Sequence, residues 1–262
     1  MEAGDSHLIG GGRRTSALFM QDEWVPGLHY HLIGKAVPGE LLFREARDYR
    51  RFLRKSLRDR LQDVFEFHSY NLIPNHFHAG VRARYDDVVR ARLASARKLT
   101  ATDRAYLEGE ISYADFVAER FRGAIMRHAK YYNYRYDREG QLFMKPSLHG
   151  LTTKADEPGV AYSRKMNAYI ALNHAKHRMT AADGYYHWRS LHNNLYQIVE
   201  LDFEMYYGSV EAYKAYLKNY MAQYGARLYD FEEEAFFQTV RPRRYVTQEQ
   251  RWIEEEWRTR RM

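Results

Sequence analysis

The 262-residue chain contains no cysteine. That absence excludes disulfides, thiolate catalysis and cysteine-ligated zinc or iron–sulfur centres. Any metal must rest on histidine, asparagine or glutamine, carboxylate or substrate oxygens. Apolar runs of about 18 residues are also missing, so no contact with a membrane is expected. The opening MEAGDSHLIGGGRRTSALFMQDEW lacks the apolar stretch of a secretory signal. It reads as a tail over 1–24, and the expected location is cytoplasmic. With 45% hydrophobic and 29% charged residues, the rest is long enough to bury a core.

Positive charge and tyrosine are what the chain has in excess. The net charge is +7, which invites a polyanionic partner. Tyrosine, present 23 times, supplies a stacking face and a hydroxyl, a combination suited to nucleic acid. The other account of so many tyrosines is that they form amphipathic core and rim.

Residues 28–37 (LHYHLIGKAV) read as a strand that ends at the turn pair Pro38-Gly39. From 44 to 64, Ala46, Tyr49, Leu53, Leu57 and Leu61 recur at three-to-four spacing, which predicts an amphipathic helix. Its outer face carries Arg47, Arg50, Arg51, Arg54, Lys55 and Arg58. Strands 65–73 and 76–84 follow, joined by Pro74-Asn75 as a hairpin. Weakly patterned helix covers 86–112, and a long helix runs from Ser112 to about Tyr136. A strand at 147–153 and a helix at 160–176 complete the order. The expected fold is α+β: a ferredoxin-like split βαβ with an antiparallel sheet and helices on one face. This domain is expected over 25–195, with a helical, charged C-terminal extension over 196–262. In that extension Tyr213, Tyr216, Tyr220 and Tyr224 form a helical stripe that reads as a packing face.

Two patterns carry chemistry. In NLIPNHFHAGV, His76 and His78 project to one side of a strand while Phe77 faces the core. Two neutral imidazoles on one face can hold a divalent metal. On spacing alone, two histidines on a solvent-facing strand explain the pattern better, and His29 and His31 repeat it. In RKMNAYIALNHAKH, Tyr169 and Asn173 share a helix face one turn apart. Taken alone, they read as a surface tyrosine and a helix-ending asparagine.

Together these segments resemble the single-tyrosine HUH transposases, most closely the REP-associated branch. IPNHFH at 73–78 resembles the family's MPNH-hydrophobic-H. NYRYDREGQLF at 133–143 resembles NxxxxxxGxLF, and YIALNH at 169–174 resembles YIxxNP. YYHWRSL at 185–191 resembles Y-x-W-S-S, and YHLIGKA at 30–36 the first strand. The match runs in order from about 28 to 192. It departs at His174, where the family commonly has proline, at MKPSLHG after GQLF, and at GKA in the first strand.

The resemblance implies a transposase-like enzyme that cleaves and rejoins single-stranded DNA beside hairpins. His76 and His78 would be metal ligands, Asn173 the amide-bearing third ligand and Tyr169 the nucleophile. Mg²⁺ or Mn²⁺ is the expected metal; imidazole suits Mn²⁺ better, because Mg²⁺ prefers oxygen. Tyr162, two turns before Tyr169, is a rival nucleophile with Met166 where an amide would be needed. His29 and His31 fall outside the metal doublet. Arg47, Arg51, Arg54, Arg82, Arg84 and Lys145 are candidates for DNA contact; a solvated basic face is the other account of them. The partner is single-stranded or hairpin DNA, with the chain a monomer or homodimer. The alternatives are a non-catalytic or domesticated hairpin-binding protein on the same fold, and a hydrolase that uses water as nucleophile.

Overall fold

A computed structural model describes residues 24–144, 149–151, 159–176, 188–190 and 195–224. Strands β1 (His29–Lys35), β2 (Phe65–Ile73), β3 (His76–Ala83) and β4 (His149–Leu151) form one antiparallel sheet in the order β2-β3-β1-β4. Helices α1 (Ala46–Arg51), α2 (Asp86–Ala94), α3 (Ala101–Leu107), α4 (Tyr113–Arg135), α5 (Gly159–Lys176), α6 (Phe203–Tyr207) and α7 (Val210–Tyr224) surround it. The protein is therefore a mixed α+β fold. Among the described residues, no helix is long and apolar enough to cross a membrane.

The first long helix is not α-helical throughout. After α1 it widens into a π-helical segment, Phe52–Leu61, and Gln62 N–H donates five residues back to Leu57 O at 3.1 Å. The buried residues Phe52, Ser56 and Leu61 are four and five apart, and Leu53, Leu57 and Leu61 four apart, which suits the wider turn as well as an α-helix. Capping at α4 follows the sequence: Ser112 accepts from Asp115 N–H.

β3 decides the layering, because it is buried on both faces. Phe77 packs against Phe52 of the π segment at 4.8 Å between centroids. On this side Tyr30, Leu32, Tyr70, Leu72, Ala79 and Val81 join Tyr49, Leu57, Ala124 and Tyr132 in the main core. The opposite side faces α5. A Cβ built on Gly80 would lie 2.6 Å from Asn167 Oδ1 and 3.1 Å from Ile170 Cδ1, so only glycine admits the helix this closely. Helices therefore cover both faces of the sheet, not one face as the motif order implied. The physical reason is that His76, His78 and Gly80 form a face needing cover just as Phe77, Ala79 and Val81 do.

The described part of the segment expected as a C-terminal extension packs against α5. Ala168, Ala171 and Leu172 of α5 form a second small core with Tyr213 and Leu217 of α7, and Tyr216 and Tyr220 pack against it. Tyr216 and Tyr220 are thus part of a packing stripe with Tyr213. Trp188 O accepts from Leu72 N–H and Ser190 N–H donates to Tyr70 O, which lays the 188–190 segment along the β2 edge.

Candidate functional site

The α5 face of the sheet is lined by polar groups. Along β2, Ser69 Oγ–H donates to Asn167 Oδ1 at 3.0 Å, and Asn71 Nδ2–H donates to Ile170 O at 3.0 Å and lies 3.1 Å from His174 Nδ1. These bonds pin α5 to β2. His174 stands where the resembled family has proline, and it is 1% exposed inside this bond network. The helix runs past it to Lys176, as the missing proline predicts.

His76 and His78 are 1% and 0% exposed, so they are not a solvent-facing pair. Their ring centroids lie 5.0 Å apart. His76 Nδ1 lies 2.8 Å from Asn75 Oδ1. Because an amide oxygen only accepts, the proton sits on Nδ1 and leaves Nε2 with its lone pair. His78 Nδ1 lies 2.8 Å from His31 Nε2. When His78 Nδ1–H donates there, its Nε2 also keeps a lone pair. Both Nε2 atoms are buried without a hydrogen bond, although both rings have further contacts.

His31 reaches His78 because of register. Its Cα partner across the β1–β3 ladder is Gly80, which has no side chain, so the imidazole leans over the diagonal neighbour His78. The rings stack at 5.0 Å with 23° between planes. Sequence reasoning set His31 outside the doublet; the structure joins it to the doublet. The signal was present only as a glycine two residues beyond the second histidine.

Tyr169 stands over this group. Its ring lies 5.8 Å from that of His78 and 5.9 Å from that of His31, edge to face in both cases. One turn on, Asn173 is 0% exposed, and neither its Oδ1 nor its Nδ2 makes a hydrogen bond. A buried amide without partners costs roughly 1–3 kcal/mol, a cost that a bound ligand or an ordered water relieves. Two imidazole lone pairs and an amide oxygen are donors that Mn²⁺ accepts and that Mg²⁺ accepts with more substrate oxygens. Among the described residues, no group of three or more histidines and carboxylates could hold a metal, so such a set depends on Asn173.

A second histidine group lies farther along the same face. A bulge in β2 between Phe67 and Ser69 inserts His68, whose ring sits 5.3 Å from His29 and 4.9 Å from Tyr206. His29 Nε2 and Tyr206 Oη are 2.8 Å apart. Burial, helped by the Arg82 charge, lowers His29 to a pKa of about 4. Burial, with the His29 and Arg82 charges, lowers His68 to about 3. Both rings are neutral at pH 7.

The basic candidates separate. Arg84 is 5% exposed and bonded to Glu66, Glu200 and the Gln62 carbonyl, so it is a structural cation rather than a surface for DNA. Arg82 is paired with Glu66 at 2.6 Å. Arg47 and Arg54 are exposed and Arg51 is half-buried. Lys145 lies outside the described residues, as does the side chain of Tyr162.

No family model, curated protein or solved structure matches the chain. The reading of the site therefore rests on its own residues.

Proposed function

We propose that the chain cleaves and rejoins single-stranded DNA through a 5′-phosphotyrosine on Tyr169, in the manner of a transposase. The observation that carries this is a tyrosine ring 5.8 Å from His78, on the same helix that one turn later buries an unbonded Asn173 amide. The strand order β2-β3-β1-β4, with helices inside both β1–β2 and β3–β4 connections, agrees with a ferredoxin-like split βαβ plan.

His76, His78 and Asn173 would hold the Mg²⁺ or Mn²⁺ ion. When bound, a divalent ion neutralises charge on a non-bridging phosphate oxygen and orients the phosphodiester. Asn75 and His31 fix the tautomers and orientations of the two imidazoles. The rigid packing of α5 on β2 and Gly80 keeps Tyr169 over them. In the reaction, a bond forms between Tyr169 Oη and phosphorus while the bond from phosphorus to the 3′-oxygen breaks. The 3′-oxygen leaves with the electron pair and gains a proton, and the phenol loses one. A free phenol has a pKa of about 10, so this proton must leave during attack. The phosphotyrosine conserves the bond energy, so rejoining needs no nucleotide cofactor.

The test is a labelled single-stranded and hairpin DNA pool incubated with Mn²⁺ and resolved on a denaturing gel. A covalent adduct formed by the unmodified chain and lost in Tyr169→Phe and His76→Ala is expected. Binding without any adduct would replace the proposal with a non-catalytic hairpin-DNA-binding protein. Unlinked cutting that survives Tyr169→Phe would replace it with a hydrolase.

A further inference from the structure

On the side of the molecule away from Tyr169, α1 and α4 present a groove of about 880 Å³ lined by Arg47, Arg51, Arg127, Lys130, Arg135, Tyr131 and Tyr134. No carboxylate lines it. The helical periods explain the arrangement. Arg47 and Arg51 are one turn apart on α1, and residues 127, 130, 131, 134 and 135 form one face of α4. The adjacent face of α4 puts Ala124, His128 and Tyr132 into the core, so the basic row is held at a fixed position. Arg135 is paired with Glu45, but the lining cations Arg47, Arg51, Arg127 and Lys130 take part in no ion pair among the described residues. Four cations gathered with so little neutralisation repel one another, and a bound polyanion relieves that. The Arg51 guanidinium carbon lies over the Tyr131 ring, 4.2 Å from its centroid. Tyr134 is 91% exposed, an aromatic ring left in water beside those charges.

We propose that this groove is a second nucleic-acid surface. Arg47, Arg51, Arg127 and Lys130 hold consecutive phosphates, and Tyr134 stacks a base. Residues 127 to 135 span about 12 Å of helix, which matches roughly three or four phosphates of a duplex strand. The sheet separates the groove from Tyr169, so the bound segment is remote from the cleaved bond. Holding one DNA molecule at both places raises the effective concentration of the scissile strand at the site. The inference rests on the proposed function only for the identity of the polyanion as DNA.

The test is fluorescence anisotropy of labelled single-stranded and hairpin oligonucleotide pools with the full chain. A Tyr169→Phe background in EDTA removes chemistry. The triple change Arg47→Ala, Arg127→Ala and Lys130→Ala is expected to weaken binding at least about 10-fold and to lower the slope of log K against log salt by about 2. Tyr134→Ala is expected to weaken binding about 5- to 100-fold with little change in slope. Lys214→Ala with Lys218→Ala, two exposed lysines of α7 outside the groove, is the control for loss of positive charge and should change neither. Unchanged affinity and slope in a folded triple variant would overturn the proposal, as would a chain that binds no nucleic acid. Loss of binding in the triple variant of a chain that forms no adduct would leave the groove standing and remove the catalytic reading. An adduct with binding indifferent to the triple change would do the reverse.

Discussion

The two faces of β3 follow opposite rules. Phe77, Ala79 and Val81 look into an aromatic core where the rings of Phe77, Phe52, Phe43 and Tyr49 pack in sequence at 4.5 to 5.3 Å between centroids. His76, His78 and Gly80 look toward α5, and on this side Asn173 and Asn167 of α5 and Asn71 of β2 keep buried polar atoms without hydrogen bonds. One face is arranged for packing. The other gathers most of the unbonded buried polar side-chain atoms near the sheet, although His128 Nδ1 and Trp188 Nε1 on the core side also lack a hydrogen bond; a fold tolerates such a cluster at a site that receives a ligand. The difference is what the proposed metal and DNA site on the α5 face would require.

The largest effect should come from the polar face. Tyr169→Phe is expected to reduce covalent adduct by at least about 10³-fold on the gel while leaving the denaturation midpoint nearly unchanged. Core truncation should do the opposite. Phe77→Ala is expected to cost about 3–5 kcal/mol in chemical denaturation, whereas Asn173→Leu should be neutral or stabilise by up to about 1–3 kcal/mol without metal. If both destabilise alike, the two faces are not different in kind. His31→Ala should weaken Mn²⁺ binding about 10- to 100-fold by calorimetry, because His78 loses the group that holds its Nδ1.

The smallest effect is on pH. Burial lowers His128 to a pKa of about 4, although its bond to the Leu42 carbonyl works the other way. The unfolded chain takes up that proton near pH 6.5, before the folded chain does. The stability gained from a neutral His128 is whole above pH 6.5 and drains as pH falls toward 4. His29 and His68 drain in the same direction. Thermal melts from pH 7 to 4.5 should therefore show a falling midpoint, and His128→Gln should flatten the decline.

Much of the fold was legible in local pattern. Alternation set the directions of His76, Phe77 and His78, and the Ser112 cap and apolar rows marked α4. Tyr169 and Asn173 fall on one face because helix geometry puts them there. What was not legible depends on long-range register. The cover of both sheet faces follows from α5 approaching at Gly80. The bulge that turns His68 inward, the ladder that sets His31 opposite Gly80, and the pairing of Arg84 with Glu200 join residues far apart in sequence. Arg84 shows the cost of reading charge from sequence, since a cation at a strand end looks the same whether it meets solvent or a buried carboxylate.

The central claim is that Tyr169 becomes covalently joined to DNA. The direct measurement is mass spectrometry of tryptic peptides from the chain after reaction with the DNA pool and Mn²⁺, followed by nuclease trimming. The account predicts a nucleotide-sized mass on the tyrosine of peptide 166–176. DNA cleaved with that peptide unmodified, or the adduct on any other peptide, would contradict it.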